Sequence, residues 1–579
     1  MGRRWKMDLA GTAATQHPLI RIAAVFVFLI CCSAGLGQAL SVDPEIARAK
    51  ELLTQERWQE IVSLAQSVHA PSAELDFYLG TALARLGRLE DARKAFEDGA
   101  RLRPSDERFL LELAGVAFKR KLYPEAARYL QRALKLAPGD SYANDFLGTV
   151  YFLQGNLDAA LKYWNRAGKP QIAEIRAEPT PRLDPVLLDR AFALSPASTL
   201  RLADLRSTQG RIDALGIFPR YQFDLRPRDD GKFSLLFRNH EKNGWGQNKW
   251  EGLILLFRGL PWQSINPEFY NLRHRAINFL SMWRWDAEKR RVFALLAAPS
   301  GSKPGREYAI NLDLRSENWN IRNSFSGPAP LLGNLNLRRE AIGAQFAYIV
   351  SGRWNWSAAA ELSHRDFRSV VPGVALSPNL LARGYQLKQM AQVGAEIWDQ
   401  PEKRITLKGS LSTEAGRIWS QPQHGFIKLR PSLKFHWFPL SEGDDYEIQH
   451  QIRAAKTVGD VPFDELFMLG WGSDTDLPMR GHVATRDGRK GSGPLGRNYL
   501  LSNWEADKNV YRNGLLNLKL GPFVDTGKVT DPLAGLGSHK WLWDAGAQVK
   551  VRALGFGVVI SYGKDLRSGN NAWWLSMLR

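Results

Sequence analysis

The sequence predicts a multidomain protein with an all-α repeat array, a small α+β module and a C-terminal transmembrane antiparallel β-barrel of about sixteen strands. Three observations support this prediction. Residues 42–169 repeat with a period of 34, residues 170–242 mix strand and helix spacing, and residues 245–579 alternate with a period of two nearly throughout. A leader, residues 1–39, precedes these three parts.

The composition allows several domains and argues against some classes of function. The chain has 579 residues, 20 tryptophans, 50 glycines and a formal net charge of +19. Many Trp and Gly residues without long apolar runs are typical of a membrane barrel, in which only alternate residues face lipid. The basic residues form no Lys/Arg block, zinc-finger spacing or RNA-recognition signature, so we expect no nucleic-acid partner.

The leader has the organisation of a secretory signal peptide. Basic residues precede a short apolar run, residues 22–32, and the segment Gly37-Gln38-Ala39 offers a small-x-small cleavage site. Cleavage there would remove Cys31 and Cys32, although a lipoprotein anchor at Cys32 is an alternative. Beyond the leader no apolar stretch is long enough to cross a membrane as a helix, so a membrane-inserted chain must cross as a barrel.

Three consecutive units of the period are Ala73–Asp106, Glu107–Asp140 and Ser141–Pro170, of which the third is shortened. Small residues at equivalent positions allow helices to pack closely, and these predicted packing positions are Gly80, Ala92, Ala126, Gly148 and Ala160. The pattern resembles the tetratricopeptide repeat. That resemblance implies a concave groove, with Tyr78 and Asn144 expected in it, that binds peptide segments of a periplasmic or inner-membrane partner. A rigid spacer without a ligand is the alternative.

Residues 170–242 follow a different order of elements. A short strand, 172–177, precedes two stretches with helical spacing, 183–194 and 200–215. A hairpin over 221–237 follows and turns at Asp229-Asp230-Gly231. This β-α-α-β-β order resembles a polypeptide-transport-associated (POTRA) domain, and the resemblance implies a module that receives unfolded chains by strand addition to an open edge.

From about Trp245 the strands have one apolar and one polar face. Every second residue of 342–348 and of 405–411 is apolar, and small or polar residues such as Lys408 lie between. In a soluble β-sandwich, the alternative, two apolar faces would be buried against each other. So many charged residues on the inward face favour a wet lumen and a lipid-facing exterior instead. Outer-membrane lipid is therefore an expected partner.

Motifs near the C-terminus carry a resemblance to a known superfamily. A long loop contains Met479-Arg480-Gly481-His482, Glu505 lies in Asn503-Trp504-Glu505-Ala506, and Asp525 and Gly527 lie in Phe523-Val524-Asp525-Thr526-Gly527. These motifs resemble the sixth extracellular loop, the acidic strand and the Phe-x-Asp-x-Gly strand of the BamA-type superfamily of bacterial surface antigens and two-partner secretion transporters. His482 stands where that superfamily has Phe or Tyr.

The resemblance implies an outer-membrane protein that assembles or translocates client polypeptides, either outer-membrane or secreted ones, with its N-terminal domains in the periplasm. A membrane-anchored repeat scaffold and a passive porin are the alternatives. The sequence has no Gly-x-Ser-x-Gly elbow, phosphate loop or His-Glu-x-x-His motif, and its ten histidines are scattered. We therefore expect no enzyme activity, no cofactor and no metal site.

The chemistry of Arg480 supports an interacting loop, which favours client handling, whereas a free or short loop would favour a porin. A guanidinium folded back into a lumen needs carboxylate partners, because an unpaired buried charge is costly. Its planar fork can meet two of them at fixed geometry. Glu505 and Asp525 lie on neighbouring predicted strands, so both can point inward at one height, and Gly481 lets the backbone turn tightly. A surface arginine with two unrelated lumen acids is the alternative.

Overall fold

The computed structural model divides into two compact units, Met1–Ala137 and Pro138–Arg579. The described residues are 44–246, 248–260, 263–322, 331–371, 376, 378–420, 423–472, 476–513, 516–530, 540–553 and 556–578. The predicted signal peptide and both cysteines lie outside the described residues.

The first unit consists of helices joined in succession by short turns. Its described helices are α1 (Pro44–Thr54), α2 (Trp58–Ser67), α3 (Ala73–Arg85), α4 (Leu89–Leu102), α5 (Glu107–Lys119) and α6 (Tyr123–Leu136). The side chains of Ser72 and Asp106 accept backbone N–H groups in the first turns of α3 and α5, which fixes where these helices begin. One apolar core runs through α1–α5, and Ile61, Phe96 and Phe109 are fully buried in it.

The predicted packing positions of this unit lie inside its core. Ala92 and Ala126 are 0% exposed. A Cβ added to Gly80 would lie 2.6 Å from the Phe96 ring. The space above Gly80 is therefore filled by an aromatic ring of the next helix rather than by a helix backbone.

We expect Gly80→Ala to lower the free energy of unfolding of the repeats by about 1–3 kcal/mol, because Phe96 must move to admit a methyl group. Gly115 in α5 is the matched control, since no heavy atom lies within 4 Å of its added Cβ. Gly115→Ala should raise stability by about 0.5–1 kcal/mol through helix propensity. Thermal melting of the full-length variants, followed by the helical circular dichroism signal, measures both. Shifts of the same sign and size would contradict ring packing over Gly80.

The second unit begins with another helix pair and the α+β module. The pair is α7 (Ser141–Leu153) and α8 (Leu157–Trp164), and the module contains β1 (Ile172–Glu178), α9 (Pro185–Ala191), α10 (Leu202–Ala214), β2 (Arg220–Pro227) and β3 (Phe233–His240). Its sheet has the order β1-β3-β2, with β1 parallel and β2 antiparallel to β3. Trp164 packs over Gly148, and Ala160 is 0% exposed.

A short helix, α11 (Lys249–Phe257), precedes a large antiparallel sheet. The strands that follow it are β4 (Ser264–Ile265), β5 (Glu268–Leu272), β6 (Ile277–Trp285), β7 (Lys289–Ser300), β8 (Lys303–Arg322), β9 (Leu331–Ser351), β10 (Trp354–Val371), β11 (Gly384–Gln400), β12 (Ile405–Trp419), β13 (His424–Trp437), β14 (Tyr446–Gly459), β15 (Phe467–Met468), β16 (Thr485–Arg486), β17 (Arg489–Lys490), β18 (Leu495–Gly496), β19 (Tyr499–Arg512), β20 (Leu516–Val529), β21 (Leu542–Ala553), β22 (Phe556–Asp565) and β23 (Asn571–Leu578). All except β15 and β18 belong to the large sheet. Fifteen of its eighteen described strands have five residues or more, the exceptions being β4, β16 and β17. The predicted antiparallel barrel fold of about sixteen strands is thereby confirmed.

The strand order of the sheet is circular, with β23 next to β4. Continuous registers join the long strands from β6 to β23, and β14 pairs directly with β19 across the long loop between them. The neighbour of β23 across the seam, β4, has only two residues. The pairing at this seam is therefore much shorter than the ladders between the long strands.

Alternation along the strands gives the barrel an apolar outer face and a polar inner face. In β8, Tyr308, Ile310, Leu312 and Leu314 are 39–55% exposed, whereas Asp313 lies on the inner face and accepts a 2.7 Å hydrogen bond from Arg291 Nε. Exposed tryptophans lie near both ends of the strands, with Trp283, Trp285, Trp419, Trp543 and Trp573 at the end that carries the long loop and Trp354 and Trp398 at the other. None of the described helices is long and apolar enough to cross a membrane.

The helix pair α7–α8 contacts the turn between β11 and β12. Asn156 Nδ2 donates to the Pro401 carbonyl at 2.8 Å. Lys162 Nζ and the Tyr163 hydroxyl donate to Glu402 Oε1 at 2.5 and 2.8 Å. Burial alone would raise the pKa of Glu402, but hydrogen bonds, chiefly the one from Lys162, outweigh it and lower that pKa. The carboxylate therefore stays ionised and holds the turn against α8.

Arg206 in α10 links the module, the helix pair and the barrel. Its guanidinium donates to Glu396 and Asp399 of β11, each at 2.7 Å, and to Asp158 of α8 at 3.1 Å. The Arg206 side chain is only 9% exposed. A charge this deeply buried requires its partners, so the three elements are held in one arrangement.

Candidate functional site

The long loop, residues 460–498, joins β14 to β19 and contacts the inner face of the barrel. It begins with a one-turn helix, Phe463–Glu465, and contains two short pairings, β15 with β18 and β16 with β17. Its side chains Leu469, Leu477 and Met479 pack with Leu501 and Val529 of the strands. Burial of this apolar surface helps to hold the loop against the wall.

Arg480 is 3% exposed and pairs with two acids of the wall. Its Nε and Nη2 donate to the two carboxylate oxygens of Asp525 at 2.8 and 2.6 Å. Its Nη1 donates to Glu505 Oε1 at 2.7 Å and to Gln548 Oε1 at 2.9 Å. The Phe523 ring lies 3.8 Å from the guanidinium carbon. This fork-to-fork pairing is specific to arginine.

The two acids lie on neighbouring strands but not directly opposite one another. Asn503 is the partner of Asp525 in the β19–β20 register, and Glu505 is the partner of Phe523. The expectation that both acids lie at one height is therefore wrong by two residues, or about 7 Å along the strand. The Arg480 side chain spans this interval, and Asn503 Nδ2 donates to Asp525 Oδ1 at 2.7 Å.

Two glycines of the motifs make room for the loop. A Cβ on Gly481 would lie 2.6 Å from the backbone nitrogen of Asp565 and 2.7 Å from the Asp544 carboxyl. Gly481 lies in a tight turn, as expected, because the His482 N–H donates to the Met479 carbonyl at 3.0 Å. Its φ angle is not in the left-handed region, so close approach of the strands is what excludes a side chain. A Cβ on Gly527 would lie 3.0 Å from Met479 Sδ. Both positions let the loop touch the strands.

His482 makes contacts that the sequence analysis did not anticipate. It is 1% exposed, with Nδ1 2.9 Å from Asp544 Oδ1 and Nε2 3.6 Å from Asp565 Oδ2. The signal in the sequence is an aspartate at the matching inward position of three successive strands, Asp525, Asp544 and Asp565. A histidine next to Arg480 is the natural partner for the second and third of these acids.

A second cluster anchors the start of the loop to another part of the wall. Glu465 accepts hydrogen bonds from Lys428 of β13 at 2.6 Å and from Lys388 of β11 at 3.3 Å. Asp464 Oδ1 lies 3.1 Å from Nη1 of Arg365 in β10, and the Arg365 side chain is 0% exposed. These partners lie far apart in the sequence, so no local motif predicts the cluster.

A third cluster anchors the hairpin of β16 and β17. The Thr485 hydroxyl donates to Glu288 Oε2 at 2.6 Å, and Lys490 Nζ lies 3.9 Å from both Glu288 and Glu317. Glu317 belongs to β8 and pairs with Lys289 at 2.6 Å. The loop is thus fixed to β19–β22, to β10–β13 and to the region of β7 and β8.

Comparison with known proteins identifies the repeats and finds distant likenesses to the rest of the chain. The tetratricopeptide repeat family model matches residues 77–141 and 127–172, so the chain contains tetratricopeptide repeats. No curated protein matches the sequence significantly.

Among solved structures, CdiB from Escherichia coli is 13% identical, with 70% of this chain and 76% of that chain covered and a TM-score of 0.47. BamA from Haemophilus ducreyi lacking POTRA domains 1–3 is 12% identical, with 71% and 85% covered and a TM-score of 0.40. CdiB from Acinetobacter baumannii is 11% identical, with 80% and 85% covered and a TM-score of 0.41. All three TM-scores are below 0.5, which marks a distant likeness.

Proposed function

We propose that this chain is an outer-membrane β-barrel that assembles or translocates client polypeptides, with its repeats and α+β module in the periplasm. The observation that carries the proposal is the long loop, which Arg480 and two further clusters anchor inside the barrel. The exposed apolar side chains of the outer face suit hydrocarbon, and tryptophans near both strand ends suit the two membrane interfaces. A signal peptide at 1–39 provides the route of export.

A passive porin is the weaker candidate, because it needs an open lumen filled with water. Here the loop carries Phe463 and Arg480, which are 1% and 3% exposed, against the inner wall. Detaching the loop would separate several buried ion pairs at once, which is costly. A route for clients along the wall therefore agrees better with the geometry than free diffusion through the lumen.

The seam between β23 and β4 offers such a route. Because β4 has only two residues, opening the seam breaks only a short pairing, and the strand edge that it exposes is a template for a further strand. A client strand can therefore add to the edge of β23. The α+β module provides a second edge, because β2 is an outer strand of its sheet. We assign residues 170–242 the role of a POTRA-like module that passes clients to the barrel.

The tetratricopeptide repeats would dock a partner or a client. Tyr78 and Asn144, the groove positions suggested by the sequence, are 8% and 1% exposed, so they belong to the helix packing instead. Helix α7 presents Tyr142 and Leu153, which are 64% and 48% exposed. These two residues are eleven positions apart, about three helical turns, and so lie on one face. That face is the docking surface we propose.

Depletion of the protein, followed by comparison of the outer-membrane and secreted proteomes, tests the proposed function. We expect a limited set of client proteins to disappear from these fractions. A porin would change solute uptake and leave the proteomes intact. The mature protein should begin after Ala39, fractionate with the outer membrane and migrate as a heat-modifiable band. Recovery of the mature chain as a soluble periplasmic protein would contradict the barrel.

Expression of variants in the depleted strain, followed by co-purification, tests whether the repeats dock a partner or only act as a spacer. The double variant Tyr142→Glu, Leu153→Glu should insert normally but lose a co-purifying partner by about tenfold or more, since it places charges on apolar contact residues. Lys94→Glu, an exposed charge change on α4, is the control and should retain the partner. Equal recovery of the partner with both variants would leave the repeats as a spacer.

A further inference from the structure

Three buried aspartates lie in a row beneath the long loop. Asp525, Asp544 and Asp565 are direct cross-strand partners on β20, β21 and β22, and they are 0%, 0% and 2% exposed. Like charges directly opposite one another destabilise a sheet. Arg480 neutralises Asp525, but Asp544 and Asp565 still require a positive charge.

His482 lies between these two carboxylates. Its Nδ1 is 2.9 Å from Asp544 Oδ1 and 3.1 Å from Oδ2, so this nitrogen carries a proton and donates it. Its Nε2 makes no hydrogen bond to any residue that the structure describes, although the side chain is 1% exposed. This nitrogen lies 3.6 Å from Asp565 Oδ2, which is too far for a hydrogen bond. A buried ligand atom therefore faces a carboxylate with a gap between them.

We propose that His482 Nε2 and Asp565 Oδ2 bind one Zn²⁺ or a similar divalent first-row ion. Such an ion lies about 2.0–2.2 Å from imidazole nitrogen and carboxylate oxygen, so ligand atoms 3.6 Å apart subtend an angle of roughly 120° at the metal. Imidazole with carboxylate suits Zn²⁺, whereas Ca²⁺ and Mg²⁺ take oxygen ligands. Asp544 lies beside this pair, because one ligand atom from each of His482, Asp544 and Asp565 lies within 4.8 Å of the other two.

The surrounding groups hold these ligands in place. Asp544 accepts the Nδ1 proton and so orients the imidazole, as carboxylates commonly do behind a metal-bound histidine. Asp544 Oδ2 also accepts the Gly481 N–H at 2.6 Å. Asp565 accepts the Ser568 hydroxyl at 2.5 Å and the Arg567 N–H at 2.9 Å. Two positive charges on the ion would offset the two carboxylates and would join the loop to β22, one strand beyond those that Arg480 reaches.

The test is made on purified, tag-free, full-length protein in detergent, without any client, so it does not depend on the proposed function. Metal is removed with EDTA, and ZnCl₂ is then titrated while bound zinc and the midpoint of heat-induced band conversion are measured. His482→Phe removes the ligand but keeps an aromatic ring. Asp565→Asn weakens the site without changing the loop. His69→Ala removes an exposed histidine of the repeats and is the control for adventitious zinc.

We expect the wild type and His69→Ala to gain one tightly bound zinc and a midpoint that is a few degrees higher, because a ligand that binds only the folded state stabilises it. His482→Phe and Asp565→Asn should lose both effects, and Ca²⁺ should not replace Zn²⁺. A wild-type midpoint insensitive to zinc would overturn the proposal, as would a zinc response that both variants retain.

Discussion

Arg480→Ala is expected to destabilise the barrel by about 3–5 kcal/mol, because it leaves the buried Asp525 and the partly buried Glu505 without their shared cation. The substitution removes three hydrogen bonds between the guanidinium and these acids. Arg480→Lys should recover only part of the loss, since an ammonium cannot hold both acids in a planar fork. The midpoint of heat-induced band conversion measures the stability, and limited proteolysis measures how firmly the loop is held.

A double-mutant cycle between Arg480→Ala and Asp525→Ala isolates the interaction. Residues in contact are non-additive, whereas independent ones add to within about 0.5 kcal/mol. Arg489→Ala is the control on the same loop, because Arg489 is exposed and its loss should change stability by no more than about 0.5 kcal/mol. Additive losses, with the loop equally resistant to protease in wild type and Arg480→Ala, would remove the basis for a loop held by Arg480.

The second large effect is expected at Glu465. This carboxylate lies 2.6 Å from Lys428, 3.3 Å from Lys388 and 3.8 Å from Arg339. Glu465→Ala strands these buried cations, so we expect a loss of about 3–5 kcal/mol. Because the start of the loop is released, ion conductance through the barrel in planar bilayers should increase. The same heat-conversion assay and single-channel recording measure the two effects.

Two comparisons sharpen the result at Glu465. Glu465→Gln keeps the size of the side chain and removes its charge. If ion pairing is the cause, this variant should be destabilised nearly as much as Glu465→Ala. Glu442→Ala, at an exposed turn between β13 and β14, should change neither stability nor conductance. Normal stability in Glu465→Gln together with a fall in Glu465→Ala would assign the effect to packing instead of charge.

The sequence predicted those features that depend on regular spacing or on a single residue with narrow chemistry. A period of two is the geometry of a strand, so the faces of the barrel followed from it. Arg480 could be matched with Asp525 because a guanidinium fork near a lumen requires carboxylates. The offset of two residues between Glu505 and Asp525 could not be predicted in this way, because it depends on how β19 and β20 are paired.

Contacts set by the curvature of the sheet could not be predicted from the sequence. Glu465 meets Lys388 and Lys428, which lie on different strands far from it along the chain, only because the sheet curls around the loop. His482 was treated as a departure from a motif, since its two aspartates are neighbours only through the β21–β22 register. The turn at Gly481 was predicted, but the close approach of Asp544 and Asp565 to it was not, because sequence does not show which strands lie against a loop.

The hydrogen bonds between α8 and the turn between β11 and β12 would transmit force from the helix pair to that hairpin. Lys162 and Tyr163 hold Glu402, and Arg206 holds the end of β11 beside it. Tension applied through α8 is therefore delivered to one hairpin of the wall before it reaches the others. The register of β11 with β12 runs from Tyr385 to Gln400, and its hydrogen bonds would share that tension in shear. The last helix pair is thus joined to the barrel at the hairpin of β11 and β12.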